Sequence, residues 1–170
     1  MPNIPTRLIL FLSSYAPLFL IIAVRGWKDS RSLAIGLAVA AVLSVVILFV
    51  FLRMAQKLAP GKVAVSSVIS RDGDAMSYIV TYLLPFLAVK LNDPTDVFSL
   101  GVVLFVIGLL YVNSNMIHTN PVLNIAGYHI FEIEDSKGKT TALICKRSYV
   151  RVGSELDAIS VGDYVLLEKK

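Results

Sequence analysis

Residues 33–52 read LAIGLAVAAVLSVVILFVFL, twenty positions without one charged side chain. A helix of that length rises about 30 Å at about 1.5 Å per residue, which matches the hydrocarbon core of a bilayer. Two further stretches, Leu8 to Val24 and Val97 to Val112, are also free of charge. They reach spanning length once flanking polar residues are counted into the helix. Across the whole chain 56% of residues are hydrophobic and 16% charged, with a mean hydropathy of +0.73. Soluble domains carry about 25% charge. Three core helices buried in a soluble chain this short would leave too little polar surface to cover them. The sequence therefore predicts an α-helical membrane protein.

Working outward, we expect four transmembrane helices at about 7–24, 32–52, 75–91 and 96–112, within a membrane domain covering 1–116. Arg7 followed by an apolar run resembles a signal peptide. The run is longer than an h-region, however, Pro17 interrupts it, and Ala23-Val24-Arg25-Gly26 is a poor cleavage site. An uncleaved first span is expected. Pro17 cannot donate to the carbonyl of Ser13, which predicts a kink whose freed carbonyl the hydroxyls of Ser13 and Ser14 can satisfy. Trp27 stands among charges at a span end, as an interfacial anchor does. In the second span Gly36, Ala40 and Ser44 recur every four residues, and Gly101 and Gly108 lie seven apart in the last span. Such small-residue stripes permit close helix packing, within one chain or between subunits of a homo-oligomer. The third span is the least regular. Met76 to Val89 holds fourteen uncharged residues, with Pro85 as a second predicted kink. Ala75, a snorkelling Lys90 and Leu91 extend it to about 25 Å at about 1.5 Å per residue. A re-entrant segment is the alternative, and it would move the tail to the other side.

The loop 53–74 opens with Arg53, Lys57, Pro60, Gly61 and Lys62. Residues 63–70, VAVSSVIS, are β-branched or small and lack helical spacing, so an extended segment is expected. Residues 117–170 change character. The alternation in His129-Ile130-Phe131-Glu132-Ile133-Glu134 and the runs 140–146, 149–152 and 164–168 predict a small β-rich domain. About fifty residues make a poor core unaided. The tail should therefore lean on the helices, a neighbouring subunit or the 63–70 segment.

With four crossings, the N-terminus, the second loop and the tail share one side and hold twelve of the sixteen basic residues. The positive-inside rule then places both termini in the cytoplasm of a multi-pass protein, although Arg25, Lys28 and Arg31 in the first loop oppose it.

No motif indicates catalysis, and no cofactor or metal site is expected. His118 and His129 have no H-E-x-x-H spacing, and neither a phosphate loop nor a G-x-S-x-G elbow occurs. Cys145, the single cysteine, falls in a predicted strand and reads as a core position. The apolar stretches contain no Asp, Glu, Arg or His, which argues against a proton- or ion-coupled pump but leaves a passive pore open. Lys57, Lys62, Arg71, Lys146, Arg147 and Arg151 are candidate contacts to a partner or to membrane lipid. No aromatic platform accompanies them, so direct nucleic acid binding is not expected.

Three stretches together, LFLSSYAPLFLIIAV at 10–24, TYLLPF at 81–86 and NPVLNIAGYHIFEIE at 120–134, resemble KwaA, the small membrane subunit of the Kiwa anti-phage defence system. The resemblance implies a bacterial inner-membrane sensor and a cytosolic partner, KwaB, that carries the DNA-directed effector role. Two alternatives stay open. One is an NfeD-like scaffold with an OB-like tail, suggested by ISVGDYVL at 159–166. Against it, the tail is short and poor in glycine turns for an OB fold. The other is an oligomeric channel with the tail forming a ring beneath the pore.

Overall fold

The computed structural model describes residues 4–78, 89–113, 120–135 and 138–169. Pro85, most of the expected third span and the 81–86 stretch lie outside them. Among the described residues, three helical stretches are long and apolar enough to cross a membrane: Ile4–Arg25, Arg31–Ala55 and Pro94–Tyr111.

The first stretch is two helices, α1 (Ile4–Ser14) and α2 (Ala16–Arg25), broken at Tyr15 with φ −89° and ψ −5°. The break lies two residues before Pro17. Ser13 Oγ donates to the Leu10 carbonyl (3.0 Å) and Ser14 Oγ to that of Phe11 (2.7 Å). Back-bonding of this kind bends helices. The third helix, α3 (Arg31–Ala55), buries Ala34, Ala41, Ser44, Leu48, Leu52 and Ala55. This seam packs chiefly on α2 and also on α1. Gly36 and Ala40 are exposed and only Ser44 of that expected stripe is buried, because steps of four residues drift around a helix with about 3.6 residues per turn.

A short α4 (Asp72–Tyr78) precedes α5 (Pro94–Asn113), which packs on α1. A Cβ at Gly108 would sit 3.2 Å from the Phe11 ring, whereas one at Gly101 would meet nothing within 4 Å. The Phe11 ring also stacks obliquely on Tyr15 (4.9 Å) and Tyr111 (5.2 Å). Gly26, after α2, leaves no room for a Cβ beside the buried Leu91. The turn before α5 is thereby pinned at the same end of the bundle as the α2–α3 loop. The outer face of α5 carries Phe98 (73% exposed), Phe105 (67%) and Leu110 (64%).

Five strands, β1 (Gly61–Ser70), β2 (His129–Asp135), β3 (Thr140–Cys145), β4 (Glu155–Gly162) and β5 (Val165–Glu168), close into a barrel in the order β1-β2-β3-β5-β4. Only β3 and β5 run parallel. This is the Greek-key arrangement of OB-type barrels. The length argument against an OB-like tail is corrected here, because the tail supplies only four strands. The fifth, β1, comes from the loop between two membrane-length helices. Its first half, Gly61–Ala64, pairs with β4, and from Val65 to Ser70 it pairs with β2 across a register shift. A bulge adds twist, so one strand can serve both neighbours.

The barrel has two apolar layers. Val65, Phe131, Ile133, Leu143 and Cys145 fill its interior. Ile130, Ala142, Ile144, Ile159, Val161, Val165 and Leu167 point outward and join the core of the helices. Both faces of β3 are therefore buried, which explains its continuous apolar run.

Candidate functional site at the helix–barrel junction

The described segments bring the membrane-length helices onto the barrel through a set of specific bonds. At the start of α1, buried Thr6 donates through Oγ1 to the carbonyl of Val161 at the end of β4 (2.7 Å). Beyond α3, Gln56 Nε2 donates to the Glu168 carbonyl (2.8 Å). Lys169 Nζ returns to the carbonyls of Gln56 (2.7 Å) and Leu58 (2.8 Å). A lysine on these terminal carbonyls answers both their unmet acceptors and the negative end of the helix dipole.

Asn120 makes the next connection, to α1. Its side chain is 0% exposed. Nδ2 donates to the Leu10 carbonyl (3.0 Å) and to Ser13 Oγ (2.8 Å). Oδ1 accepts from the N–H groups of Val122 and Leu123, capping the short helix α6 (Pro121–Ile125). One side chain thus fixes α1 just below its break and sets the direction in which the chain reaches β2.

Where β1 leaves the barrel, Arg71 donates through Nε (3.0 Å) and Nη2 (2.7 Å) to Glu132 Oε2. That carboxylate raises the pKa of the guanidinium above its ordinary value, so the arginine stays charged. Next to it, Asp72 accepts from the Ile130 N–H (3.0 Å) and lies 2.7 Å from His129 Nδ1. The strand that departs toward α4 and the strand that arrives from α6 are clasped together.

The basic residues singled out from the sequence divide into two groups. Arg71 is held by Glu132, and Arg147 Nε lies 2.5 Å from Glu168 Oε1. Lys62 makes only an exposed pair with Glu155 at 3.8 Å, which contributes little. Lys57 and Arg151 are exposed, and Lys146 sits over the Tyr128 ring at 4.9 Å. Lys146 also shares a cavity of about 390 Å³ with Arg53, which the sequence reading had left unassigned. Thr6, Gln56 and Asn120 were missed as well, and Lys169, which reads in the sequence as one more basic tail residue, was not foreseen on the carbonyls that follow α3. Only Asn120-Pro121 carried a local signal, a cap residue followed by proline at the first helical position.

Cys145 lies in the barrel interior, 1% exposed, and burial pushes its thiol up to about 11. The thiolate is the reactive form. At pH 8 roughly one thiol in a thousand is ionised by this measure. We therefore expect maleimide labelling of the native chain to be slower than that of the denatured chain by at least about 100-fold. Equal rates, followed by intact mass, would contradict the buried placement. Among the described residues no group of three His, Cys, Asp or Glu side chains gathers to hold a metal ion.

Comparison with known proteins gives a match to the family described as anti-phage protein KwaA over residues 6–167. The match runs from the residue that ties α1 to the barrel to the last buried residue of β5. A curated relative, the Kiwa protein KwaA of Escherichia coli O55:H7, is 22% identical over 85 residues, 48% of this chain. The chain spans 44% of that relative's length in the match. No solved structure matches. The resemblance read from 10–24, 81–86 and 120–134 is borne out: the chain belongs to the KwaA family of anti-phage proteins.

Proposed function

We propose that the chain is a non-enzymatic sensor and scaffold in the bacterial inner membrane, which registers membrane disturbance and holds a cytosolic DNA-directed effector of the KwaB kind. Family membership supports the defence role. The observation that carries the rest is the junction: Thr6 and Gln56 tie α1 and the end of α3 to one barrel, and Asn120 ties α1 to the helix that leads into that barrel. A change in how the helices tilt or separate must then strain the barrel or break these bonds, which turns a bilayer disturbance into a change on a polar domain.

Four crossings with cytoplasmic termini fit the same geometry. Asp72 is clasped at the barrel end, while Leu91 packs on Gly26 at the opposite end of the bundle. These two described ends support the reading of 75–91 as a full span over the re-entrant alternative. In this reading the exposed apolar face of α5 meets lipid or a second copy in a homo-oligomer.

Co-expression with the effector of the same defence system tests the proposal. The effector is expected to co-purify with the full chain in mild detergent and to be lost when 120–170 is deleted. Retention after that deletion sinks the scaffold role, and protease access to Lys169 from the periplasm sinks the orientation. The OB-type strand order favours one second reading, an NfeD-like scaffold. It would show as capture of a membrane-associated partner in place of the effector. Ion flux from the purified chain alone in liposomes would favour a channel.

A further inference from the structure

We infer that the cavity between the last turn of α3 and the barrel binds the phosphate headgroup of an anionic membrane phospholipid. The inference rests on the membrane placement proposed above and adds a defined lipid site to it.

Position comes first. Phe49 and Leu52 on the cavity wall belong to the end of the charge-free run 33–52, while Arg53 and Gln56 belong to the polar turn after it. The cavity therefore straddles the boundary where hydrocarbon gives way to headgroups. Charge comes second. Arg53 and Lys146 both line it, both are exposed, and among the described residues neither takes part in an ion pair. The acid in the lining, Glu168, is answered by Arg147 at 2.5 Å. The lining is net positive, and two cations on one concave surface suit a phosphate monoanion. Lys146 is also positioned, with Nζ 4.9 Å over the Tyr128 ring.

A free phosphate shares that chemistry, but the surroundings favour a lipid. Val46, about half exposed, shares a helix face with Phe49, Val50 and Arg53 at three- and four-residue spacing. This apolar stripe runs from the cavity toward the membrane interior and offers an acyl chain a path that inorganic phosphate would not use. The volume, about 390 Å³, lies within the usual range for small-molecule sites of about 300–1,000 Å³.

The test uses the full chain in mild detergent, with native mass spectrometry of bound lipid. Phosphatidylglycerol is titrated against phosphatidylcholine, and inorganic phosphate is added as a separate arm. The wild-type chain is expected to retain phosphatidylglycerol about tenfold over phosphatidylcholine. R53Q/K146Q should lose that preference, whereas K62Q/R151Q, with the same charge removed elsewhere, should keep it. Both cavity cations are exposed, so their loss leaves the core intact. Ala126→Trp, which fills the cavity and keeps the charges, should lose the preference too. Undiminished phosphatidylglycerol binding by R53Q/K146Q overturns the proposal. So does displacement of bound lipid by millimolar inorganic phosphate, which would make free phosphate the ligand. An alkaline carbonate wash separates the two levels. Release of the chain sinks the membrane placement and the site together, whereas retention with unchanged lipid binding in R53Q/K146Q sinks the site alone.

Discussion

Replacing Asn120 with leucine is expected to lower the thermal midpoint of the full chain in detergent by roughly 6–12 °C. The side chain is fully buried and makes four hydrogen bonds, two as donor and two as acceptor. Removing a helix cap destabilises by about 1 kcal/mol. Each of the two donor bonds contributes about 1 kcal/mol more, and the groups left behind in an apolar core keep their desolvation penalty. The sum is about 3 kcal/mol, and a chain of this size loses about 2–4 °C per kcal/mol. Leucine keeps the branching and the number of heavy atoms, so no cavity opens to confuse the reading. Hydrogen exchange should locate the effect. Amides of α6 and those just below Tyr15 in α1 lose protection, while the interior of β3 holds. A midpoint shift below about 2 °C would mean that the asparagine does not bridge these helices.

Much of the fold was legible because the signals were local. The run 33–52 carries its own length argument, and the alternation from His129 to Glu134 its own period. The β-branched residues of 63–70 and their lack of helical spacing marked β1 before any partner was known. What the sequence hid was closure. Gly61 meets Ala158 and Val65 meets Asp135 across long stretches of intervening chain, and no local pattern encodes such pairings. The tail was therefore counted without its first strand and judged too short for the fold it adopts. Gly101 and Gly108 make the same point within one helix. They are indistinguishable in sequence, yet Gly108 faces Phe11 and Gly101 faces open space. The junction was the least legible part. Thr6 reaches Val161 over a separation of 155 residues, and Lys169 finds Gln56 over 113. Arg71 and Arg147 looked like free basic contacts because their acids, Glu132 and Glu168, are distant in sequence.

The dependence of the barrel on the rest of the chain leads to the largest effect we expect: a fragment of residues 120–170 alone should not fold in water. Without β1, the outer edges of β2 and β4 lose their partners at every position from His129's neighbour Ile130 through Asp135 and from Glu155 through Ala158. Open edges of that length invite aggregation. The interior loses Val65 and the packing of Val63 and Val68. The outward layer, Ile130, Ala142, Ile144, Ile159, Val161, Val165 and Leu167, loses the helices that cover it. The six large or branched side chains among them contribute roughly 1.5–3 kcal/mol each when buried, and Ala142 less, against a net stability of only about 5–15 kcal/mol for a whole domain. The fragment should show a disordered far-ultraviolet spectrum or precipitate. Joining residues 58–71 to its N-terminus through a flexible linker restores the ladder but not the outer cover. That version should gain β-structure only in detergent, where the exposed layer finds an apolar phase. A cooperative melt from 120–170 by itself in plain buffer would show a barrel indifferent to the membrane helices. Their motions would then have no route to it, and the sensing role would lose its physical basis.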